Sequence, residues 1–342
     1  MTEQKGGAVG KKLYAGIDLG GTYIKCGIVD ENGQIITKDK VPTRNGCAFE
    51  GIAFDMVALV ERLCERLRIE VSALSGVGVG SPGIIDGENG TIVFAGNLNW
   101  KNAPLGRRVS ELLDLPVYLT NDANAAALGE SYMGGGKNYG SMIFITLGTG
   151  VGGGIIIDGK LFEGYRSAGA EVGHSVIKIG GEKCTCGRRG CFEAYASATA
   201  LIRQARRAMK KDENSLLWKL CGGDDGKVDG KLVFDAVHGG DKTAVKVLNK
   251  YVEYLAAGLV DLANIFRPEI ILLGGGISEA GETLLEPLRK AFYKDLFGGN
   301  NHAPVLLGLA TLGNDAGLCG AARLAMIKGG NKYRPAATSR PY

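Results

Sequence analysis

Apolar residues at Ile52, Met56, Leu59, Leu63 and Leu67 recur at the spacing of one helix face and predict a helix over Ile52–Arg68. Short, nearly continuous apolar runs predict buried strands at Leu13–Asp18, Cys26–Val29, Gly76–Gly80, Val117–Leu119, Ser141–Leu147, Gly154–Ile157, Glu269–Leu273 and Val305–Leu309. Further helices are expected at Asp122–Tyr132, at about Glu193–Lys211, at Thr243–Asn264 and at Ala316–Met326. Strands alternating with helices predict α/β layers. The uncharged stretch Asn138–Ile157 is long enough to raise a membrane span. Gly148, Gly150 and Gly152-Gly153-Gly154 break it, so two buried strands around a glycine turn are expected instead.

The pattern echoes itself. Asp18-Leu19-Gly20-Gly21-Thr22 moved along the chain by 128 residues falls on Thr146-Leu147-Gly148-Thr149-Gly150, and Ile28-Val29-Asp30 falls on Ile156-Ile157-Asp158. Both copies read strand, glycine turn, strand. The echo predicts a duplicated α/β fold with two domains around a cleft. The expected division is a small domain over 13–120 completed by a C-terminal helix at 312–327, and a larger domain over 121–311 carrying a loop at 174–193. The ends, 1–12 and 328–342, are polar and expected to be flexible.

Composition narrows the class. A length of 342 residues suits two domains, and 45% apolar with 22% charged residues excludes general disorder. Glycine is abundant at 55 residues, roughly twice the usual share, without a collagen period. The net charge of +4 is too small to argue for nucleic acid. No apolar leader opens the chain, so a cytoplasmic protein without a membrane partner is expected. Eight cysteines in that setting are read as metal ligands and buried apolar residues rather than disulfides.

The glycine turns suggest phosphate chemistry. Without a Cβ, backbone N–H groups can close on an anion. Gly20-Gly21-Thr22, Gly148-Thr149-Gly150 and Gly275-Gly276 after a buried strand are therefore candidate nucleotide contacts, with Asp18 as a carboxylate near a metal ion and Lys25 beside it. None has the P-loop spacing. Cys184, Cys186 and Cys191 lie within eight residues, with glycines at 187 and 190 to let the loop curl. Zinc wants four tetrahedral ligands, and His174 is the nearest upstream candidate for the fourth. Glu171 and Glu193 flank that loop; each is either a surface charge or one of a pair suited to vicinal hydroxyls. Asp122, in Asn121-Asp122-Ala123-Asn124, is either a helix cap or a catalytic carboxylate.

In this order and spacing, Asp18-Leu-Gly-Gly-Thr22, Leu147-Gly-Thr-Gly-Val-Gly-Gly-Gly154 and Leu273-Gly-Gly-Gly-Ile-Ser278 resemble the phosphate and adenosine motifs of the ROK sugar kinases, over about Leu13–Met326. The resemblance implies an actin-like, ribonuclease-H-like ATPase fold, ATP with Mg²⁺, and a hexose phosphorylated at O6. It implies Asp122 as the catalytic base, and Asn121, Glu171, His174 and Glu193 as sugar contacts, with Gly83 and Asn97 as further candidates. The C-x-C-G-x-x-G-C-x-E run resembles the family's zinc signature, with His174 as fourth ligand to one structural Zn²⁺. Gly96-Asn97-Leu98-Asn99-Trp100, Pro104-Leu105 and Gly313-Asn-Asp-Ala-Gly317 resemble bacterial glucokinases, so glucose is expected first and N-acetylmannosamine, fructose or allose after it. Trp100 is read as packing. Seventeen residues precede Asp18, too few for the DNA-binding domain of the family's repressors; a sugar sensor without one is the rival reading. A homodimer or homotetramer is implied by the resemblance alone.

Overall fold

The computed structural model describes residues 11–44 and 46–329. The ends expected to be flexible lie outside the described residues, apart from 11–12 and 328–329. In chain order the elements are β1 (Leu13–Leu19), β2 (Tyr23–Asp30), β3 (Ile35–Pro42), α1 (Phe49–Leu67), β4 (Leu74–Ser81), β5 (Ile84–Asp86), β6 (Thr91–Ala95), β7 (Trp100–Ala103), α2 (Leu105–Leu113), β8 (Val117–Asn121) and α3 (Asp122–Tyr132). There follow β9 (Met142–Leu147), β10 (Val151–Ile157), β11 (Lys160–Phe162), α4 (Glu193–Ala196), α5 (Ala198–Met209), α6 (Leu216–Leu220), α7 (Gly230–His238), α8 (Lys242–Phe266), β12 (Ile270–Gly274), α9 (Glu282–Asp295), β13 (Leu306–Leu309) and α10 (Ala316–Lys328).

Contacts divide the chain into two compact units. One takes the described residues up to Tyr132, Tyr165–Ala168 and those from Asp315 onward; the other takes Met133–Gly164 and Gly169–Asn314. Each is built on a five-stranded sheet of the same topology: β3-β2-β1-β4-β8 in the first, β11-β10-β9-β12-β13 in the second. In both, three strands run antiparallel and two more join parallel to the first of them. The internal echo is therefore a repeat of structure: the 128-residue shift carries β1 onto β9 and β2 onto β10. Asn138–Ile157 forms β9 and β10, paired antiparallel. Among the described residues no helix is long and apolar enough to cross a membrane.

In the first unit α1 lays Ile52, Met56, Leu59 and Leu63 into a core with Ile17, Ile24 and Ile28. α10 lies close on β1 and β4. A Cβ on Gly78 would overlap the carbonyl of Ala321, and one on Gly16 would stand 2.8 Å from the Ala322 nitrogen. α3 meets α10 through Gly129 and Gly320 in the same way. That contact places α3 in the first unit, so the division falls after Tyr132 and not at 120/121. In the second unit the core gathers Phe192, Tyr251, Leu255 and Leu259 around β9 and β12.

Two of the differences from the expected elements have a local cause. The helix expected at Glu193–Lys211 is two helices, because Ser197 is extended (φ −75°, ψ 164°) and its side chain accepts from Ala200 N to cap α5. The strand expected at Gly154–Ile157 starts at Val151, since Gly152, Gly153 and Gly154 pair in register with Thr146, Ile145 and Phe144.

Candidate functional site

The first unit gathers its candidate residues on one sheet edge. β1, β4 and β8 are neighbours and parallel, so their C-terminal ends lie side by side, where open α/β sheets hold ligands. Asp18 is in register with Gly80, Gly80 with Thr120, and Ser81 with Asn121. β1 runs into the Gly20–Thr22 turn, closed by Gly20 N donating to Tyr23 O at 3.0 Å. Thr43, which sequence spacing did not reveal, fastens this turn: its hydroxyl donates to Gly20 O at 2.7 Å and its N–H to Thr22 O at 2.9 Å. Asp18 pairs with Lys25 at 3.2 Å. Its carboxylate lies over the first turn of α10, where a Cβ on Gly317 would stand 2.8 Å from Asp18 Cγ. A helix start favours that negative charge.

β8 passes into α3 with no loop between Asn121 and Asp122. The Ala123 N–H donates to Asn121 Oδ1 at 2.9 Å and to Asp122 Oδ1 at 2.8 Å, so both side chains cap the helix. Asn121 Nδ2 donates to Gly83 O at 3.2 Å, and Gly83 holds φ +102° there. Asp122 stays exposed at the junction. Gly80 makes its seat possible: a Cβ at 80 would meet Ala125 Cβ at 2.8 Å. Asn97 is exposed, and its Nδ2 lies 3.8 Å from where a Cβ of Gly21 would be. Trp100 is packing, 6% exposed, with Nε1 donating to Cys47 O at 3.1 Å.

The second unit repeats the arrangement. Gly274, ending β12, is in register with Thr146 of β9, so the Gly148–Gly150 turn and Gly275-Gly276 leave adjacent strands. Gly275 has φ +81° and would place a Cβ 2.7 Å from the Leu147 nitrogen, so no other residue fits. The carbonyls of Gly148 and Thr149 are tied to the start of α5, by Ala198 N and the Thr199 hydroxyl, each at 2.8 Å.

The cysteine loop folds as a tight knot beside this turn. Val176 bridges Cys191 and Lys183 bridges Arg189. Gly187 and Gly190 hold φ +90° and +87°. Phe192, fully buried next to Cys191, is seated where Gly258 of α8 leaves room for its ring. Ligand atoms of His174, Cys184, Cys186 and Cys191 all lie within 4.8 Å of one another. His174 Nδ1 is 3.7 Å from Cys184 Sγ, and Cys186 Sγ is 3.7 Å from Cys191 Sγ. Tetrahedral zinc with Zn–S bonds of about 2.3 Å needs edges of about 3.8 Å, so the four atoms fit the ion. Burial pushes the Cys191 thiol up to about 12 and raises that of Cys184, while the Arg188 N–H draws Cys186 down.

Glu193 links the cysteine loop to the glycine turn. Its Oε1 accepts from the Thr185 hydroxyl at 2.7 Å, with Cys184 Sγ at 3.5 Å. Its Oε2 accepts from Val151 N at 3.2 Å. Thr185 carried no signal in sequence, since its role appears only when two segments meet. Glu171 is exposed, and its carboxylate has no hydrogen-bond partner among the described residues. The same holds for His174 Nε2.

Comparison with known proteins agrees with this picture. The chain belongs to the ROK family, whose model matches residues 14–328. It is 42% identical to a glucokinase of Streptomyces coelicolor over 315 residues, 92% of this chain and 97% of the relative. Identity to a glucokinase of Thermotoga maritima is 40% over 321 residues, with the same coverage of 92% and 97%. The fold matches a ROK family glucokinase from Streptomyces griseus, solved with glucose and AMPPNP, at TM-score 0.79 and 40% identity, covering 92% of this chain and 99% of that one. The two repeated sheets are those of the actin-like, ribonuclease-H-like ATPase fold.

Proposed function

We propose that this chain transfers the γ-phosphoryl group of ATP to O6 of a hexose, with glucose as the first substrate. The observation that carries the reading is Asp122, an exposed carboxylate at a strand-to-helix junction on the same sheet edge as the Gly20–Thr22 turn. It stands in a chain 42% identical to a glucokinase. In this reading Asp122 takes the proton from the sugar O6 as that oxygen attacks the γ-phosphorus in line. The bond from the γ-phosphorus to the bridging oxygen breaks, and ADP leaves. Asn121, whose amide is already oriented by Gly83 O, Glu171, Glu193 and His174 Nε2 are assigned to the sugar hydroxyls, with Asn97 and Gly83 as further contacts.

The phosphates are assigned to the N–H groups of Gly20, Gly21 and Thr22 and of Gly148, Thr149 and Gly150, with Gly275 and Gly276 toward the nucleoside. ATP brings Mg²⁺, which spreads charge on the phosphates; Asp18 is the carboxylate and Lys25 the cation that the first unit offers there. His174, Cys184, Cys186 and Cys191 are assigned to one structural Zn²⁺, a closed set with no open coordination position. Such an ion would tie His174 to the loop held by Glu193. N-acetylmannosamine, fructose and allose are the next sugars in line.

Asp122→Asn tests the assignment. It should bind glucose as the unaltered protein does and lose turnover by about 10²–10⁴-fold. Turnover near the unaltered rate would remove Asp122 from the reaction. Glucose binding with no turnover in the unaltered protein would favour a sugar sensor.

A further inference from the structure

Two segments of the second unit turn regularly spaced residues, five of them cations, into one groove. α5 and the turn that ends it supply Arg203, Arg207 and Lys211, four residues apart; α8 supplies Lys246, Lys250 and Tyr254 at the same spacing. Residues four apart share one helix face. The groove is open to solvent along one side and offers about 370 Å³, room for a small molecule.

One carboxylate enters the groove, Glu182 of the cysteine loop. Arg207 grips its two oxygens at 2.5 and 3.3 Å, and Arg203 Nε lies 3.9 Å away. That end is already satisfied by an anion from the chain itself. The other end is not. The ammonium groups of Lys211 and Lys246 have no hydrogen-bond or ion-pair partner among the described residues. Lys250 is held by Glu253 at 2.6 Å and lies 4.9 Å over the Tyr254 ring. Tyr254 packs on Tyr195 at 4.5 Å, and Val247 and Ala208 give the groove an apolar wall. With Lys250 paired to Glu253, four cations share the one carboxylate Glu182, and like charges one turn apart disfavour each helix.

We propose that the Lys211–Lys246 end of this groove binds the phosphate of a small phosphorylated metabolite, at a site separate from every residue assigned to phosphoryl transfer. Lysine ammonium groups suit a phosphate dianion as point charges. The wall of Val247, Ala208 and Tyr254 leaves room for the body of a sugar phosphate. The Glu182 N–H donates to Tyr195 Oη at 2.6 Å, and its carbonyl accepts from Gly190 N at 2.9 Å. A dianion that competes with Glu182 for Arg207 therefore acts on the loop that carries the three cysteines.

The test is isothermal titration of the full chain at constant ionic strength, with inorganic phosphate and glucose 6-phosphate as separate probes. Three proteins are compared: unaltered, Lys211→Ala/Lys246→Ala, and Lys231→Ala/Lys290→Ala. The last removes equal charge from exposed ion pairs elsewhere. The groove variant should bind at least tenfold more weakly than the other two. Response to both probes means that the phosphate group suffices; response to glucose 6-phosphate alone means that the wall contributes. Equal affinity in all three proteins, or no binding to the unaltered one, overturns the proposal. So does a groove variant that loses self-association at unchanged affinity, which would make the groove an interface between copies of the chain.

Discussion

Gly150→Ala isolates the link between the cysteine loop and the glycine turn. Gly150 has no left-handed φ, so its backbone accepts alanine. The new Cβ overlaps Glu193 Oε2 and stands 3.2 Å from Cδ, so its three nearest neighbours all belong to the Glu193 side chain. The carboxylate must retreat by about 1 Å to reach ordinary contact. That movement breaks its 3.2 Å bond from Val151 N, whose residue is 6% exposed. Losing a hydrogen bond to a charged acceptor costs about 1.5–3 kcal/mol. At about 2–4 °C per kcal/mol, the second unit should melt about 3–12 °C lower. If Glu193 also holds the sugar, glucose KM should rise by up to about 10- to 150-fold, since 1.4 kcal/mol is tenfold. Gly148→Ala is the control: its Cβ meets nothing within 4 Å, so its melting should match the unaltered protein. Thermal unfolding and a coupled kinetic assay read both effects. Equal melting of Gly150→Ala and the unaltered protein, or an equal fall in Gly148→Ala, refutes the reasoning.

Gly320→Ala should be severe. Its Cβ would lie 2.5 Å from the Ala125 carbonyl carbon and 2.7 Å from Gly129 N, both backbone, and a loss of about 3 kcal/mol or more is expected in chemical denaturation. Asp30 gives a pH test. Burial raises its pKa, but the N–H groups of Gln34 and Asn32 and the Lys11 ammonium outweigh it and hold the carboxyl below its usual 3.8. A lowered folded pKa gives stability that is present above about pH 4 and lost as pH falls through the folded value. The unaltered protein should therefore lose melting temperature faster than Asp30→Asn below pH 4; parallel curves would contradict the assignment. Cys186→Ser should bring bound zinc, read by metal analysis, well below about one ion per chain; full occupancy would exclude Cys186 as a ligand.

Much of this was legible in the chain because it rests on local pattern. β1, β9 and β12 are nearly continuous apolar runs, α1 has a clean helical stripe, and the cysteine spacing announces its own loop. α2 has its own stripe in Leu105, Val109 and Leu113 and was missed all the same; much of the rest lacks such a signal. β3 carries Lys38, Asp39 and Lys40 and alternates half-buried with exposed positions. β5, β6 and β7 are three to five residues long. α9 holds Pro287 inside it. At the site, residue types were readable but partners were not. The Glu193 bond to Val151 spans 42 positions and that of Thr43 to Gly20 spans 23. Such pairings are set by how segments fold together, and no spacing rule reaches them.

The central claim meets its most direct test in ADP release from MgATP with purified protein, measured across glucose, N-acetylmannosamine, fructose and allose, with the sugar product identified. The account predicts strong release with glucose, glucose 6-phosphate as product, and its loss in Asp122→Asn. Release with another sugar alone would contradict the substrate assignment and leave the chemistry standing. No sugar-dependent release from a folded, zinc-loaded protein would contradict the kinase reading itself.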